Sequence, residues 1–269
     1  MDIITVTTIA LLLFVALVFS PLGLGGGVLY VPILHYLLGW EIQEAVIGSL
    51  TLVFMVALGG SLAHSNSGHA DNKVANTGRI TAIPFAIIGT ILSGILFSLV
   101  GDIVFKILAA FILTFVIERT ISAIIKEEGD AVNEVQISEK KQQYQLGTAF
   151  AGISSGLLGI GGGAILVTLN RSLLKMDMHK AAGTSFLVGI TIVPVALLSH
   201  ILLDGIARDL FDKVGLIGTL VVPFLVFLCA FIGAKIAIKH ISKIGITVVF
   251  LCAISVSLIR YIFDFISMV

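Results

Sequence analysis

The sequence predicts an all-α polytopic membrane protein made of two inverted repeats of about five helical segments each. Three features predict this class: long apolar runs without charge, a self-similarity between the two halves, and a glycine-rich interruption near the start of each half. Of the 269 residues, 58% are hydrophobic and only 12% are charged, whereas about a quarter of an ordinary soluble domain is charged. Such a chain has too little polar surface to be stable in water.

Runs without Asp, Glu, Lys or Arg mark the segments that could cross a bilayer. A hydrocarbon core about 30 Å thick needs about 20 apolar residues of helix. Such runs cover residues 3–20, 45–63, 80–101, 142–170, 181–203 and 214–234. The first run follows a single charge, Asp2, without the basic region of a secretory signal, so we expect it to stay in the mature protein. We therefore predict a multi-pass protein of the cell membrane.

The two halves of the chain resemble each other. A shift of 136 residues places the segment 23–27 on the segment 159–163 without a gap, and it pairs His64 with His200. Transporter folds are often built from internal repeats of this kind. We predict a first membrane repeat over residues 1–125, a charged linker over 126–143 and a second membrane repeat over 144–269.

Each half is expected to contain five helical segments. They are predicted at residues 3–20, 28–39, 44–64, 78–99 and 103–125, and at 144–158, 163–175, 179–203, 213–238 and 241–265. The second segment of each half is too short to cross a bilayer at 1.5 Å per residue. We expect it to form a hairpin with the preceding segment, crossing partly or fully. Each half then makes an odd number of passages, so the two halves insert in opposite orientations.

Basic residues orient this arrangement, because Lys and Arg are enriched in short cytoplasmic loops. One face collects Lys73, Arg79, Lys126, Lys140, Lys141, Lys175, Lys180, Lys239 and Lys243, and the other collects Lys106, Arg208, Lys213 and Arg260. The first face is predicted to be cytoplasmic, which places both termini outside.

The glycine-rich interruptions predict an anion site. Non-helical backbone at membrane depth is tolerated only where protein buries it or where it lines a polar cavity. Two such tips entering from opposite faces should meet near the bilayer midplane. The short helix that follows each tip starts with N–H groups that lack intrahelical partners and carry partial positive charge. The candidate substrate-binding residues are Gly25, Gly26, Gly27, Val28, Gly161, Gly162, Gly163 and Ala164.

Glycines in membrane helices also serve close helix packing, which is the alternative interpretation of both segments. Under the binding interpretation, Gly26→Val or Gly162→Val should abolish anion binding and leave the protein inserted and monodisperse. Valine would block close approach of the anion and disfavour a positive φ.

The repeated segments resemble those of the sulfite exporter family of the TauE/SafE type. The resemblance rests on "GLGGGVLYVPIL" and "GIGGGAILVTL", followed by "AVIGSLTLV" and "AAGTSFLVG". It implies a secondary transporter, most simply an exporter, of sulfite, sulfoacetate or another small sulfur- or carbon-containing anion. An uptake permease or an anion channel of the same fold stays open as an alternative. The resemblance implies no enzyme activity, and no Walker-type phosphate-binding motif occurs in the sequence.

Hydroxyl side chains near the starts of matched helices are second-rank ligand candidates. Ser49, Thr51, Thr184 and Ser185 could donate to the oxygens of an anion, or could bond to a carbonyl one turn back. The matched residues His64 and His200 could couple proton movement to transport, or could be interfacial residues. The coupling ion, proton or sodium, and the oligomeric state stay open.

The remaining sequence features bear on other classes of function. Cys229 and Cys252 lie in predicted spans, which suits buried apolar residues better than a disulfide or a metal site. We expect no cofactor or metal. The balanced charge predicts no nucleic-acid partner. The segment 152–156 matches the G-x-S-x-G motif of serine hydrolases, which leaves an intramembrane hydrolase as a remote alternative.

Overall fold

The protein is described by a computed structural model over residues 2–125, 135–240 and 243–268. These residues form an all-helical structure without strands, in agreement with the predicted class. The α-helices are α1 Ile3–Phe19, α2 Gly27–Leu38, α3 Ile42–Asn66, α4 Asn72–Val100, α5 Asp102–Ile125, α6 Ile137–Leu158, α7 Gly163–Ser172, α8 Met178–Leu203, α9 Ala207–Leu216, α10 Val222–His240 and α11 Lys243–Met268.

Five stretches in the described part of the chain are long and apolar enough to cross a membrane. They are Ile3–Leu22, Ile42–Asn66, Asn72–Val100, Met178–Leu203 and Ala207–Ile238. The prediction of a membrane protein with several apolar helices is confirmed by their length and composition.

Three helices differ from the prediction in where they begin or divide. Helix α4 begins at Asn72 rather than at 78, because the Asp71 carboxylate caps it by accepting the N–H groups of Lys73 and Val74. Helix α6 begins at Ile137 and includes a kink at Lys140. The predicted linker over 126–143 therefore contains the first turns of α6, and its residues 126–134 lie outside the described residues.

The third difference divides the predicted segment 213–238. Gly215 adopts φ +61° and ends the regular geometry of α9, and a π-helical turn over Ile217–Val221 leads into α10. Because π-turns interrupt the regular hydrogen-bond ladder, the direction of the chain can change here.

The bundle has two distinguishable ends. At one end, the starts of α4, α6 and α8 and the end of α7 share an apolar cluster of Val74, Ile137, Tyr144, Leu174, Met176 and Ala181. At the other, a cavity of about 580 Å³ is lined by the first half of α1, the end of α2, the start of α3, the end of α8 and the region of α9 and α10. We call these the Tyr144 end and the cavity end.

Helices α3 and α8 run in opposite directions between the two ends. Helix α3 begins beside the cavity, which Ile47 lines, whereas α8 reaches the cavity only near its last turn, through Ile201. The last turns of α3 contact the first turns of α8, where the His64 ring lies 6.2 Å from the His179 ring. The internal repeat stays a prediction, and it would require this opposition, because it matches α3 with α8.

Glycines allow the backbones of α4 and α6 to touch. A Cβ at Gly152 or Gly156 of α6 would collide with the carbonyl oxygens of Ala82 or Ala86 of α4. The G-x-S-x-G segment is therefore part of a helix–helix interface. The turn that follows a strand in serine hydrolases is not formed here, and the motif match is explained by helix packing.

Candidate functional site

Both glycine segments interrupt the helices in the same way. After α1 and a short 3₁₀ turn over Ser20–Leu22, Gly25 and Gly26 have φ +73° and +77°, and α2 begins at Gly27. After α6, Gly161 and Gly162 have φ +73° and +67°, and α7 begins at Gly163. Residues with a side chain rarely adopt a positive φ, so glycine is needed at these turns.

The two glycine segments contact each other through their backbones. A Cβ at Gly27 would lie 2.6 Å from the carbonyl oxygen of Ile160, and a Cβ at Gly163 would lie 2.8 Å from that of Leu24. The shift of 136 residues converts the first contact into the second. The starts of α2 and α7 are thus adjacent, and both segments are buried.

In both short helices, the first backbone N–H groups have no acceptor within the helix. In α2, the N–H of Leu29 is the first to bond within the helix, donating to the carbonyl of Gly26 at 2.9 Å. In α7, the N–H of Leu166 donates to the carbonyl of Gly162 at 3.0 Å. The N–H groups of Val28 and Ala164 lie before these bonds, so the geometry of a helix start leaves them without an intrahelical acceptor.

Two serines tie each half to the glycine segment of the other half. The hydroxyl of Ser49 donates to the carbonyl of Gly159 at 2.7 Å, and the hydroxyl of Ser185 donates to the carbonyl of Gly23 at 3.1 Å. A shift of 136 residues converts the Ser49–Gly159 bond into the Ser185–Gly23 bond. The Ser185 hydroxyl also lies 3.3 Å from the carbonyl oxygen of Gly163 in its own half. Because each hydroxyl hydrogen is directed at a carbonyl, these serines position the glycine segments in this structure.

The two predicted threonines lie in different places. The hydroxyl of Thr51 donates to the carbonyl of Ile47 one turn back, at 2.9 Å, and Thr51 lines the cavity. The Thr184 hydroxyl accepts the backbone N–H of Asp71 at 3.0 Å, near the Tyr144 end. Among the described residues that line the cavity, Thr51 is the one predicted site residue.

Val53, which the sequence did not single out, fills the space between the two glycine segments. A Cβ at Gly25 would lie 3.2 Å from a methyl carbon of Val53, and a Cβ at Gly161 would collide with the same methyl. The repeat places Gly189 at the equivalent position. This difference between the halves is the sequence signal that could have identified Val53.

The cavity lies beside the first half of α3, and its described lining includes no residue of the glycine segments 20–27 and 159–163. Its lining includes Leu52, the chain neighbour of Val53, and is mostly apolar. The Lys213 ammonium lies at the cavity, where it donates to Glu44 at 2.6 Å and sits 5.6 Å from the centre of the Trp40 ring. An ion pair and an aromatic ring therefore lie at this cavity.

The two matched histidines have different surroundings. His64 is buried, and within the described structure neither ring nitrogen has a hydrogen-bond partner. The ring of His200 has two partners: Nε2 lies 2.6 Å from the carbonyl oxygen of Gly156, and Nδ1 lies 2.7 Å from a carboxylate oxygen of Asp204. Asp204 was missed from the sequence, although a spacing of four residues places it on the same helix face as His200.

The described residues contain no group of three or more His, Cys, Asp or Glu side chains arranged to hold a metal ion. Cys229 and Cys252 are free thiols. The chemistry available at the glycine segments is therefore that of backbone donors, with hydroxyls and imidazoles nearby.

Comparison with protein families agrees with this architecture. The model of the family described as Sulfite exporter TauE/SafE matches residues 8–261. Comparisons with curated proteins and with solved structures found no match. Because this match covers residues 8–261 of the 269 in the chain, the chain belongs to the sulfite exporter TauE/SafE family.

Proposed function

We propose that this protein is a secondary-active membrane transporter that exports a small sulfur-containing or organic anion, such as sulfite, sulfoacetate or another sulfonate. The anion binds where the starts of α2 and α7 meet. The observation that supports this most directly is the reciprocal backbone contact of the glycine segments, in which Gly27 lies against Ile160 and Gly163 against Leu24.

Two adjacent helix starts can replace part of the hydration shell of an anion. Each carries about half a unit of positive charge, and N–H groups such as those of Val28 and Ala164 can donate to oxygen atoms. In a buried site these dipoles act in a lower dielectric than water and interact more strongly. A cationic side chain is not required at the contact.

The lengths of the short helices support a site near the bilayer midplane. Helix α2 has 12 residues and spans about 18 Å, and α7 has 10 residues and spans about 15 Å. If the two helices enter from opposite faces, their sum is close to a hydrocarbon core of about 30 Å. This agreement favours two inverted repeats whose glycine tips meet in the middle.

The route to the site runs through the cavity and past Val53. The cavity reaches Leu52, while the cluster around Tyr144 closes the opposite end. Alternating access would then require the Tyr144 end to open while the cavity closes. Opening of both ends at once would make the protein an anion channel, which is the nearest alternative.

Transport direction depends on gradients and coupling, so uptake by a permease of the same fold is the second alternative. A membrane hydrolase finds no support at the G-x-S-x-G segment, whose glycines face α4. Export is preferred because the family is described as exporters.

Counterflow in proteoliposomes tests the proposed function. Vesicles with the purified full-length protein are loaded with unlabelled sulfite, sulfoacetate or taurine, and uptake of the same labelled compound is measured. We expect saturable exchange of at least one of these compounds. Movement of a labelled cation with no exchange of the three anions would refute the proposal, and non-saturating conductance would favour the channel.

Proline substitution tests the site without enlarging a glycine. Val28→Pro and Ala164→Pro each remove one backbone N–H from the first helical turn, where proline is tolerated. Losing a hydrogen bond to a charged group should weaken anion binding by about ten- to a hundredfold. Gln43→Pro, at the same position of the α3 start, is the matched control and should bind like the parent protein. Equal binding by all three variants would place the anion elsewhere.

A further inference from the structure

The buried side chains of His200 and Asp204 cannot form their observed contacts without an additional proton. Nε2 of His200 faces the carbonyl oxygen of Gly156 at 2.6 Å, and a carbonyl oxygen only accepts hydrogen bonds. Nε2 therefore carries a hydrogen. Nδ1 faces a carboxylate oxygen of Asp204 at 2.7 Å. A neutral ring would then place a bare nitrogen against an ionised carboxylate, which is repulsive.

One further proton removes this conflict. It can reside on Nδ1, giving an imidazolium beside a carboxylate, or on the carboxyl group of Asp204, giving two neutral partners. Either way the pair has no net charge, and it has one negative charge when the proton leaves. The side chains of His200 and Asp204 are only 2% and 6% exposed, so this charge would be poorly hydrated.

The pair is connected directly to the second glycine segment. Gly156 lies in the last turn of α6, where the final carbonyls lack intrahelical partners and carry partial negative charge. The N–H of His200 satisfies one of these carbonyls three residues before Gly159. The end of α8 is thus fastened to the chain that leads into the start of α7.

Few other charges surround the pair. Of the elements packed against α8, α6 has no charged residue over 142–158, α4 has none over 80–100, and α7 has one, Arg171, in its last turn near the Tyr144 end. On α3, Glu44 is paired with Lys213, and His64 lies at the opposite end. Helix α9, which follows Asp204, contributes Arg208, Asp209, Asp212 and Lys213.

We propose that His200 and Asp204 form the proton-binding site of a proton-coupled anion transporter. This inference rests on the proposed function and specifies its coupling ion. A negative charge on the deprotonated pair opposes an anion at the start of α7, and protonation removes that charge. Proton and anion therefore bind cooperatively and cross together, so export proceeds when the outward gradient of the anion exceeds the inward gradient of the proton.

The first half lacks this site. His64 matches His200, but glycine occupies position 68, which the repeat matches with Asp204. Among the described residues, neither ring nitrogen of His64 has a hydrogen-bond partner, so His64 lacks the carboxylate that faces His200. The asymmetry assigns proton coupling to the second half alone.

Asp204→Asn separates proton coupling from anion binding. The amide N–H₂ can donate to Nδ1 of a neutral His200, which reproduces the neutral pair without an exchangeable proton. Sulfoacetate is the probe, because its acidic groups stay ionised from about pH 6 to about pH 8, where histidine titrates. Its binding to the parent protein should weaken as pH rises, by up to about tenfold per pH unit for one linked proton.

The Asp204→Asn variant should bind sulfoacetate with the same affinity from about pH 6 to about pH 8. Asp209→Asn is the matched control, because Asp209 is exposed. Its affinity for sulfoacetate should depend on pH as that of the parent protein does. A pH indicator in weak buffer should detect one proton taken up per anion by the parent and none by Asp204→Asn. The proposal is wrong if Asp204→Asn keeps the parent's pH dependence or proton uptake.

A second measurement needs no transported substrate, so it distinguishes failure of this inference from failure of the proposed function. In nanodiscs, ¹⁵N spectra of histidine rings and ¹³C spectra of aspartate carboxyls are recorded on the full-length protein. His200→Gln and Asp204→Asn provide the assignments. A doubly protonated His200 ring or a protonated Asp204 carboxyl at neutral pH supports the pair as a proton site. A singly protonated ring beside an ionised carboxylate overturns it, even if an anion is transported.

Discussion

At the scale of single residues, the glycines of the two segments combine backbone freedom with close contacts. A Cβ at Gly26 would lie 2.8 Å from a methyl carbon of Val15, and a Cβ at Gly162 would lie 2.7 Å from the carbonyl oxygen of Ala151. The expectation that Gly26→Val and Gly162→Val leave the fold intact therefore conflicts with these contacts with α1 and α6. Loss of binding in either variant would not separate a binding role from a packing role, which is why proline substitutions are the better test.

Ser49 is expected to stabilise the junction of the two glycine segments. Ser49→Ala would leave the buried carbonyl of Gly159 without the hydroxyl donor that bonds it at 2.7 Å. An unsatisfied buried acceptor costs about 1–3 kcal/mol. The control is Ser61→Ala on the same helix, because the Ser61 hydroxyl donates to the carbonyl of Leu58 within α3 and makes no tie between the halves among the described residues. Thermal unfolding in detergent should show a clear decrease in Tm for Ser49→Ala and a small one for Ser61→Ala. Similar decreases would contradict a specific tie between the halves.

At the scale of secondary-structure elements, glycines determine how closely α4 and α6 approach. Gly152 and Gly156 face carbonyl oxygens of α4, and Gly89 of α4 faces the carbonyl of Ile153. Because small residues let membrane helices approach at backbone distance, this interface should be among the least tolerant of added side-chain volume.

Gly89→Ala and Gly94→Ala form a matched pair on α4. A Cβ at Gly89 would collide with the carbonyl oxygen of Ile153, whereas a Cβ at Gly94 would have no neighbour within 4 Å in the described structure outside its own helix turn. Alanine at Gly94 should be neutral or stabilise the helix by about 0.5–1 kcal/mol, and alanine at Gly89 should cost about 1–3 kcal/mol. Size-exclusion chromatography after stepwise heating measures the heat resistance of the two variants. If Gly89→Ala is as heat-resistant as Gly94→Ala, the two helices are not in backbone contact.

At the scale of the whole molecule, α3 and α8 run between the Tyr144 end and the cavity end, and both are long and apolar enough to cross a membrane. We therefore expect these two ends to lie on different sides of the membrane. The basic face predicted to be cytoplasmic contains Lys73, Lys175 and Lys180, which belong to segments near the Tyr144 end. The cavity should then open outward.

Cysteine labelling tests this orientation. In a protein with serine at positions 229 and 252, single cysteines are introduced as Ser65→Cys or Ser138→Cys near the Tyr144 end and as Asp209→Cys near the cavity end. All three positions are exposed. An impermeant maleimide should label Asp209→Cys in intact cells, and it should label the other two variants only after permeabilisation. Labelling of Ser138→Cys and Asp209→Cys from the same face would exclude the inverted arrangement.

The fold class and the place of the glycine segments were accessible from the sequence, because both depend on local chemistry. Charge-free runs require burial in lipid or protein, and consecutive glycines allow a positive φ that other residues avoid. The start of α4 could also have been predicted more closely, since Asp71 is a strong N-cap residue.

What only the tertiary structure decided is which groups meet across the chain. The hydroxyl hydrogens of Ser49 and Ser185 are directed to carbonyls of the other half, and Val53 occupies the space between the glycine segments. The His200 ring contacts the carboxylate of Asp204 and the carbonyl of Gly156. The His64 ring, at the matched position, has no hydrogen-bond partner among the described residues. Such pairings depend on how α6 and α8 pack against each other, and the periodicity of a single helix contains no information about the group that another helix presents to it.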